Sequence, residues 1–204
     1  MMRFVKWKSF VFTALVCILP IIFGIALWDL LPEDIAIHFD FNNRPDNYAS
    51  KGFAVFGLPL LMVVFQLICC VSVDMNSAKY GENKRIESVA KWIIPCVTVV
   101  LHLATLGYAI NASVDIRRIT AVLAGLIFIV TGICVSKLDY IKHFDIDTKK
   151  AKKINRFVGY ESLLIGLAFI GSIILPSAAT SACVILIIPC LIIGTIYGIK
   201  IARK

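Results

Sequence analysis

The sequence predicts an all-α protein, a polytopic transmembrane bundle of six helices with both termini cytoplasmic and a compact extracellular loop containing a short strand. Three observations predict this class. The 204-residue chain is 59% hydrophobic, with a mean hydropathy of +0.88. Its apolar residues form six long runs, and its basic residues cluster in alternate segments between those runs. A soluble core of this size does not need so much apolar surface.

Each apolar run is long enough to cross a hydrocarbon layer of about 30 Å as a helix. Helices are expected because no water is available there to bond the backbone. The first run follows basic residues as a signal peptide would, but it lacks a small-residue cleavage site before Trp28, so we expect it to be retained. The six runs are roughly 9–28, 53–73, 92–110, 119–135, 157–175 and 180–199. Bends are predicted where a run contains proline, at Pro20, Pro59, Pro95 and Pro189.

The positive charge is distributed asymmetrically about these runs. With the N-terminus inside, the inner segments 1–8, 74–91, 136–156 and 200–204 hold 17 of the 21 lysines and arginines. The positive-inside rule therefore predicts a multi-pass protein of the cytoplasmic membrane with both termini inside. The net charge of +8 is explained by this pattern, so the lipid bilayer, and not nucleic acid, is the expected partner.

The seven cysteines all lie within the apolar runs, and no two have the CxxC spacing of a metal site. They are interpreted as small, polarizable packing residues. No metal and no cofactor is predicted.

The long outer loop, 29–52, is the most distinctive stretch. Ile35, Ile37, Phe39 and Phe41 alternate with other residues, and this period of two predicts a short strand with one apolar face. The segment 42–46 that follows reads Asn-Asn-Arg-Pro-Asp, which is turn chemistry because asparagine tolerates positive φ. We therefore expect a packed cap on the outer face.

The same loop carries a family resemblance. Leu-Pro-x-x-Ile-x-x-His-Phe, followed by a turn and by Asp-x-x-x-Ser-Lys before an apolar helix, resembles the N-terminal domain of SdpI-like bacterial membrane proteins. The resemblance covers roughly residues 10–75. Its matching residues are Leu31, Pro32, Ile35, His38, Phe39, Asp46, Ser50 and Lys51. It implies immunity against a secreted antimicrobial peptide, or a related envelope-stress role.

The C-terminal half departs from that family. The segment 136–150 lacks the Gly-Ile-Arg-Thr-Pro-Trp type of inner-loop sequence, and only residues 152–159 resemble the element that follows it. We accordingly predict an SdpI-like N-terminal domain over 1–75 and a divergent four-helix membrane domain over 76–204.

The candidate binding residues lie in the outer loop. A hydrogen-bonded network that fixes the loop is expected, with His38 or Arg44 bonded to nearby acids, and a peptide-recognition surface is compatible with it. A metal or cation site is the weaker alternative because the spacing fits no established pattern. The candidates are His38, Phe39, Asp40, Arg44, Asp46, Tyr48 and Lys51. Lys51 is expected to reach the membrane interface, and Tyr48 and Trp28 suit the aromatic belt.

Two ionisable residues lie within the runs themselves. His102 is near the middle of the third run, where an ionisable group is costly and often functional. A neutral histidine bonded to a neighbouring helix is the structural alternative. Glu161 lies about one turn from the cytoplasmic end of its run and is expected to pair with Arg156 or Lys153. Gln66 and Thr98 are expected to bond between helices.

Enzyme signatures are missing: the chain has no HExxH, GxSxG or phosphate-loop motif. We therefore predict a non-enzymatic immunity or resistance protein whose partner is a secreted peptide toxin. Two alternatives stay open. One is a small transporter or permease component with His102 along its path. The other is a membrane sensor that holds a cytosolic regulator through its basic inner loop, which contains the lysine-rich segment 149–153.

Overall fold

The computed structural model describes residues 5–40, 42–138 and 147–202. Helices dominate it, and one small antiparallel sheet follows the first helical span. The helices are α1 (Trp7–Ile18), α2 (Pro20–Ala26), α3 (Leu58–Tyr80), α4 (Lys84–Ile110), α5 (Ile116–Ser136), α6 (Thr148–Gly171) and α7 (Ser177–Ala202). The strands are β1 (Asp34–Phe39) and β2 (Pro45–Ser50). Two single 3₁₀ turns, Trp28–Leu30 and Ser172–Ile174, and a π-helical turn, Phe53–Gly57, complete the described part.

The predicted all-α class, with six membrane-length helices and strand structure in the loop after the first of them, is confirmed. Six helical spans in the described residues are long and apolar enough to cross a membrane. They run over Trp7–Ala26, Phe53–Lys79, Lys84–Ile110, Ile116–Ser136, Thr148–Ile174 and Ser177–Ile201. Their outward faces are apolar: Leu164 is 68% exposed and Ile185 is 67% exposed. A soluble protein rarely exposes apolar surface on this scale, so the chain is a multi-pass membrane protein.

The segment 74–91, which the hydropathy pattern places between two apolar runs, is mostly helical. Helix α3 continues to Tyr80 and α4 begins at Lys84, which leaves a turn of only three residues, 81–83. Gly81 has φ 93°, which glycine adopts without steric cost. The Asn83 side chain accepts a hydrogen bond from the Ile86 amide at 3.3 Å and so caps α4. Hydropathy marks only the membrane-buried part of each helix, whereas the caps mark its ends.

Helix α6 also begins before its apolar run, at Thr148, directly after Asp147 at its N-cap position. Much of the predicted inner loop 136–156 is therefore helical. Its central part, residues 139–146, lies outside the described residues.

The four prolines have different effects. Pro20 separates α1 from α2 within the first span, as a helix-interior proline is expected to do. Pro59 lies directly after the π-helical turn, inside the continuous helical span Phe53–Lys79. Pro95 and Pro189 lie inside α4 and α7.

The chain divides into two compact units, Met1–Thr120 and Ala121–Lys204. In the first unit, α1, α3 and α4 pack together through buried polar contacts. Gln66 on α3 donates to the Thr13 hydroxyl on α1 at 2.7 Å and to the Lys91 carbonyl on α4 at 2.9 Å. The Thr98 hydroxyl lies 3.9 Å from the Cys17 sulfur. Both Gln66 and Thr98 thus bond between helices, as the sequence predicts.

The π-helical turn lies between β2 and α3. It carries Val55, which is fully buried and packs with Ile35, Leu31 and Leu106 in the hydrophobic core of the first unit. A Cβ atom on Gly24 would lie 2.5 Å from a Val55 methyl group, so α2 approaches the turn closely because residue 24 is glycine. The turn therefore seats the sheet against the helices.

In the second unit, α5 and α6 approach each other closely along paired glycines. A Cβ on Gly132 would lie 2.7 Å from the Gly159 carbonyl oxygen, and one on Gly166 would lie 2.6 Å from the Gly125 carbonyl oxygen. Ser162 bridges the same two helices by donating to the Phe128 carbonyl at 2.8 Å. Small residues at such contacts are typical of membrane helices, where packing drives association.

Candidate functional site

The loop 29–52 folds into a β-hairpin, formed by β1 and β2 with antiparallel pairing. Asp34 pairs with Ser50 at the base, His38 pairs with Asn47, and Phe39 pairs with Pro45, with a register irregularity on either side of His38. The sequence predicts the first strand and the turn, but it does not predict the second strand. Phe41, the last residue of the predicted apolar alternation, lies outside the described residues.

Apolar contacts hold the hairpin against the first unit. Ile35 is completely buried with Leu106 of α4, and the Phe39 ring meets the Tyr108 ring edge-on with centroids 4.7 Å apart. Ile37 is half-buried at the same cluster. The predicted apolar face therefore lies on α4, and β2 is the more exposed strand.

His38 and Asp46 form a hydrogen-bonded pair on the exposed side of the hairpin. His38 Nδ1 lies 2.5 Å from Asp46 Oδ1, and the two side chains are 67% and 49% exposed. An imidazole and a carboxylate are therefore exposed to solvent side by side. Among the described residues, no group of three histidine, cysteine or acidic side chains is arranged to hold a metal ion.

Asp40 organises the turn of the hairpin. Its Oδ1 atom accepts hydrogen bonds from the amides of Asn42 and Arg44, both at 2.8 Å, and its own amide donates to the Arg44 carbonyl at 2.8 Å. This is the Asx-type bonding that favours aspartate in turns. Asp40 is therefore an architectural residue, and Arg44 contributes its backbone to the turn.

Asn43 connects the hairpin to the start of α5. It has φ 62°, in the left-handed region that asparagine tolerates. Its Nδ2 donates to the Val114 carbonyl at 3.1 Å, and its Oδ1 accepts from the Arg117 amide at 3.2 Å. The turn signal in the sequence predicts the backbone of Asn43. No signal indicates that its partner is more than seventy positions away.

Asn43→Ala is expected to destabilise the protein by about 2–3 kcal/mol, because alanine disfavours positive φ and loses both hydrogen bonds. Asn43→Gly relieves the backbone strain and loses only the bonds, so its loss should be smaller. Thermal unfolding of the purified variants measures both effects. Equal losses would contradict a contribution from the backbone conformation.

Lys51 lies at the base of the hairpin and is only 8% exposed. Its Nζ is 2.9 Å from Glu33 Oε1 and 5.1 Å from the centroid of the Trp28 ring. Its amide donates to the Glu33 carbonyl at 2.7 Å. The side chain thus ties the base of the hairpin to the end of the first span.

The seven candidate residues therefore share one hairpin but differ in orientation. Phe39, Asp40 and Lys51 face the protein or brace the turn, whereas the side chains of His38 and Asp46 face outward. Tyr48, which is 54% exposed, also faces outward. The outward-facing side chains combine a carboxylate, an imidazole and an aromatic ring.

The two intramembrane candidates lie in different units of the chain. His102 is 6% exposed in α4, and its Nε2 has no hydrogen-bond partner among the described residues. Glu161 on α6 directs its carboxylate at Gly194 of α7, where an added Cβ would lie 2.5 Å from Oε2. The expected partner Arg156 lies instead against Tyr160, with Nη2 3.4 Å from the hydroxyl.

Sequence reasoning missed a buried ion pair in the first unit. Lys91 Nζ lies 2.6 Å from Asp74 Oδ1, and the side chains are 4% and 0% exposed. The Lys6 amide donates to the other Asp74 oxygen at 2.9 Å, which connects α3 to the start of α1. Both residues lie in the segment 74–91 that the hydropathy pattern places between two apolar runs, although their spacing of 17 suits facing positions on a tight helical hairpin.

A second group of charges surrounds this pair. Lys6 Nζ bonds Glu82 and lies 2.8 Å from Glu87 Oε2. These hydrogen bonds, the one to Glu82 first, raise the pKa of Lys6 above its ordinary value. The Ser77 hydroxyl donates to Glu87 at 2.6 Å. The network fastens the N-terminal end of α1 to the α3–α4 turn.

Comparison with known families matches residues 15–63 to a domain of unknown function, DUF1648. The matched stretch runs from the middle of α1 through the hairpin and the π-helical turn into α3. It is less than half of the chain, and it is consistent with a membrane-protein family. No curated protein and no solved structure matches the chain.

Proposed function

We propose that this protein is a non-enzymatic resistance protein of the bacterial cytoplasmic membrane, with both termini inside. Its β-hairpin lies outside and binds a secreted, cationic antimicrobial peptide before the peptide disrupts the bilayer. The proposal includes SdpI-like character for the N-terminal part. It rests chiefly on one observation, the anchored hairpin with His38, Asp46 and Tyr48 directed outward.

The anchoring of the hairpin supports binding because a fixed surface loses little conformational entropy when a ligand docks. Ile35 and Lys51 hold its base, and Asn43 holds its turn. In the described part of the chain, β2 pairs with β1 along one edge and with no strand along the other. That unpaired edge can accept an extended peptide. Strand addition of this kind supplies backbone hydrogen bonds, and side chains supply selectivity.

Charge also favours a cationic ligand. The loop 29–52 carries five acidic residues against Arg44 and Lys51, and Lys51 is already paired with Glu33. Opposite charge on a peptide would raise its association rate and orient its approach. The exposed Tyr48 ring offers an apolar contact beside the charges.

The match to a known domain covers the same part of the chain that we propose to be functional. Residues 15–63 include all seven hairpin candidates, α2 and the π-helical turn, whereas α4 and the start of α5, which also contact the hairpin, lie outside the match. The motif shared with SdpI-like proteins, from Leu31 to Lys51, lies entirely within this range.

The test is peptide tolerance in a susceptible bacterial strain that expresses the protein. The probe is a synthetic peptide of alternating lysine and leucine, which combines positive charge with an apolar face. Expression of the natural chain should raise the inhibitory concentration, and His38→Ala/Asp46→Ala should abolish most of that gain at equal protein level. Binding of the labelled peptide to the purified protein in neutral lipid discs should weaken in parallel.

Asp29→Ala is the matched control. Asp29 is an exposed acid just before the hairpin, and its substitution removes the same single negative charge as Asp46→Ala. It should retain tolerance and peptide binding. Unchanged binding by the His38 and Asp46 variant, or no binding by the natural chain, would refute recognition of cationic peptides by the hairpin.

A small transporter or permease component is the second candidate. The observation that favours it is His102, a buried imidazole whose Nε2 has no partner among the described residues. Such a group inside a membrane helix is typical of transport paths. His102→Leu should then abolish flux in vesicles at normal protein yield, whereas a packing role would lower the yield instead.

A further inference from the structure

One end of the second unit carries an open groove of about 400 Å³ between α6 and α7. Basic side chains from the first turns of α6 and three aromatic rings line it. Phe157 and Tyr197 stack across the two helices with centroids 4.1 Å apart. The lining residues are Lys149, Lys152, Lys153, Arg156, Tyr160 and the Phe157–Tyr197 pair.

The position of these cations is electrostatically unfavourable for the isolated protein. The N-terminus of a helix carries a partial positive charge, which favours acidic side chains in the first turn. Helix α6 has Asp147 at its N-cap position, but its first turn carries lysines at 149 and 150 and no acidic residue. An anion bound in the groove would offset both the lysine charges and the helix dipole.

Arg156 is held in an orientation that suits a phosphate. Its guanidinium lies 6.0 Å from the centroid of the Tyr160 ring and donates to the Tyr160 hydroxyl at 3.4 Å. A guanidinium has five N–H donors, so this bond leaves others for phosphate oxygens. The stacked ring limits the motion of the side chain and reduces the entropy lost on binding.

The same face of α6 becomes apolar beyond the groove. Residues 153, 156, 160, 164 and 167 follow one another at intervals of three or four and so form one stripe along the helix. Leu164 is 68% exposed and Leu167 is 59% exposed. A ligand with an anionic head and a long apolar chain would match the whole stripe, whereas a free phosphate or an acidic peptide would match only its basic end.

We propose that this groove is a specific binding site for an anionic phospholipid of the phosphatidylglycerol class. The lipid phosphodiester lies among Lys149, Lys153 and Arg156, and the Tyr197 hydroxyl faces the headgroup. One acyl chain follows Leu164 and Leu167 along α6.

Native mass spectrometry of the purified full chain, titrated with phosphatidylglycerol, tests the proposal. Lys149→Gln/Lys153→Gln/Arg156→Gln should lower the affinity for the first bound lipid by about tenfold or more, because each cation near the surface contributes to the attraction. The matched control Lys79→Gln/Lys84→Gln/Arg85→Gln removes the same charge from the α3–α4 end of the first unit. It should keep the natural affinity.

Thermal stability provides a second readout, because the groove substitutions should change it in opposite directions in two lipids. In phosphatidylcholine vesicles the groove variant should be at least as stable as the natural chain, because it removes cations from a helix N-terminus. In phosphatidylglycerol vesicles it should be less stable, because the bound anion is lost. A shift of the same sign in both lipids would overturn the proposal.

Three other outcomes would also refute a lipid site. Equal loss of phosphatidylglycerol binding in the groove and control variants would indicate attraction by diffuse charge. Competition by millimolar inorganic phosphate at full strength would indicate a free-anion site. Binding of a polyglutamate peptide through the groove, with no retained lipid, would indicate an acidic protein partner.

Discussion

Asp74→Leu is expected to destabilise the protein by about 3–5 kcal/mol, because it leaves the Lys91 ammonium buried without its carboxylate. Lys91→Met should destabilise the protein by a similar amount, because it leaves the Asp74 carboxylate buried without its ammonium partner. Lys91 Nζ and Asp74 Oδ1 lie 2.6 Å apart, and neither side chain is more than 4% exposed. Reversible unfolding of the purified protein in mixed detergent micelles measures the loss.

The double variant Asp74→Leu/Lys91→Met should recover most of this loss, since apolar residues of similar volume often replace a buried ion pair at little cost. Recovery should be incomplete because the Lys6 amide also loses its acceptor on Asp74. Glu82→Leu, which removes an exposed partner of Lys6, is the control and should cost no more than about 1 kcal/mol. Additive losses in the double variant would contradict a direct interaction between the two charges.

The second large effect is expected at the contact between α5 and α6. Gly159→Val and Gly166→Val should each cost about 1–3 kcal/mol or more, because a side chain at either position meets backbone atoms of α5 that have no rotamer to change. A Cβ at Gly159 would lie 2.7 Å from the Gly132 carbonyl oxygen and 2.7 Å from the Ser136 amide nitrogen. Unfolding midpoint and monodisperse yield report the damage.

Gly171→Val is the matched control on the same helix. A Cβ at Gly171 has no atom within 4 Å in the described structure, so the substitution should change stability by less than about 0.5 kcal/mol. Equal loss at all three positions would indicate a general intolerance of α6 to valine and would refute a specific contact.

The sequence is sufficient to predict the six spans because membrane-spanning helices must be continuously apolar. It does not predict where those helices end, since the ends of α3, α4 and α6 are polar and depend on caps such as Asn83. Glycines at 159 and 166 suggest close packing, but their partners at 125 and 132 are visible only when the two helices are paired. Hydropathy therefore predicts the number of spans better than their limits.

The hairpin shows the same division. The alternation at 35–39 predicts a strand, and the asparagines predict a turn, because both signals are local. The bonds from Asn43 to Val114 and Arg117, and the burial of Lys51 under Glu33, depend on residues brought together by folding. The Asp74–Lys91 pair was missed for a related reason: charge counts place both residues near the interface without showing that they face each other.

The π-helical turn at Phe53–Gly57 determines the direction in which the hairpin faces. Such a turn holds one more residue than an α-helical turn. Its backbone absorbs that residue, so deleting one residue from the turn and restoring α-helical winding would leave the residues on either side in nearly the same rotational register. Deleting one residue from α3 beyond Pro59 would instead rotate every preceding residue by about 100° around the helix axis. Val55 and the hairpin would then leave Gly24 and Leu106 together. Natural relatives that keep the hairpin on α4 should therefore differ in length within this turn and not within α3.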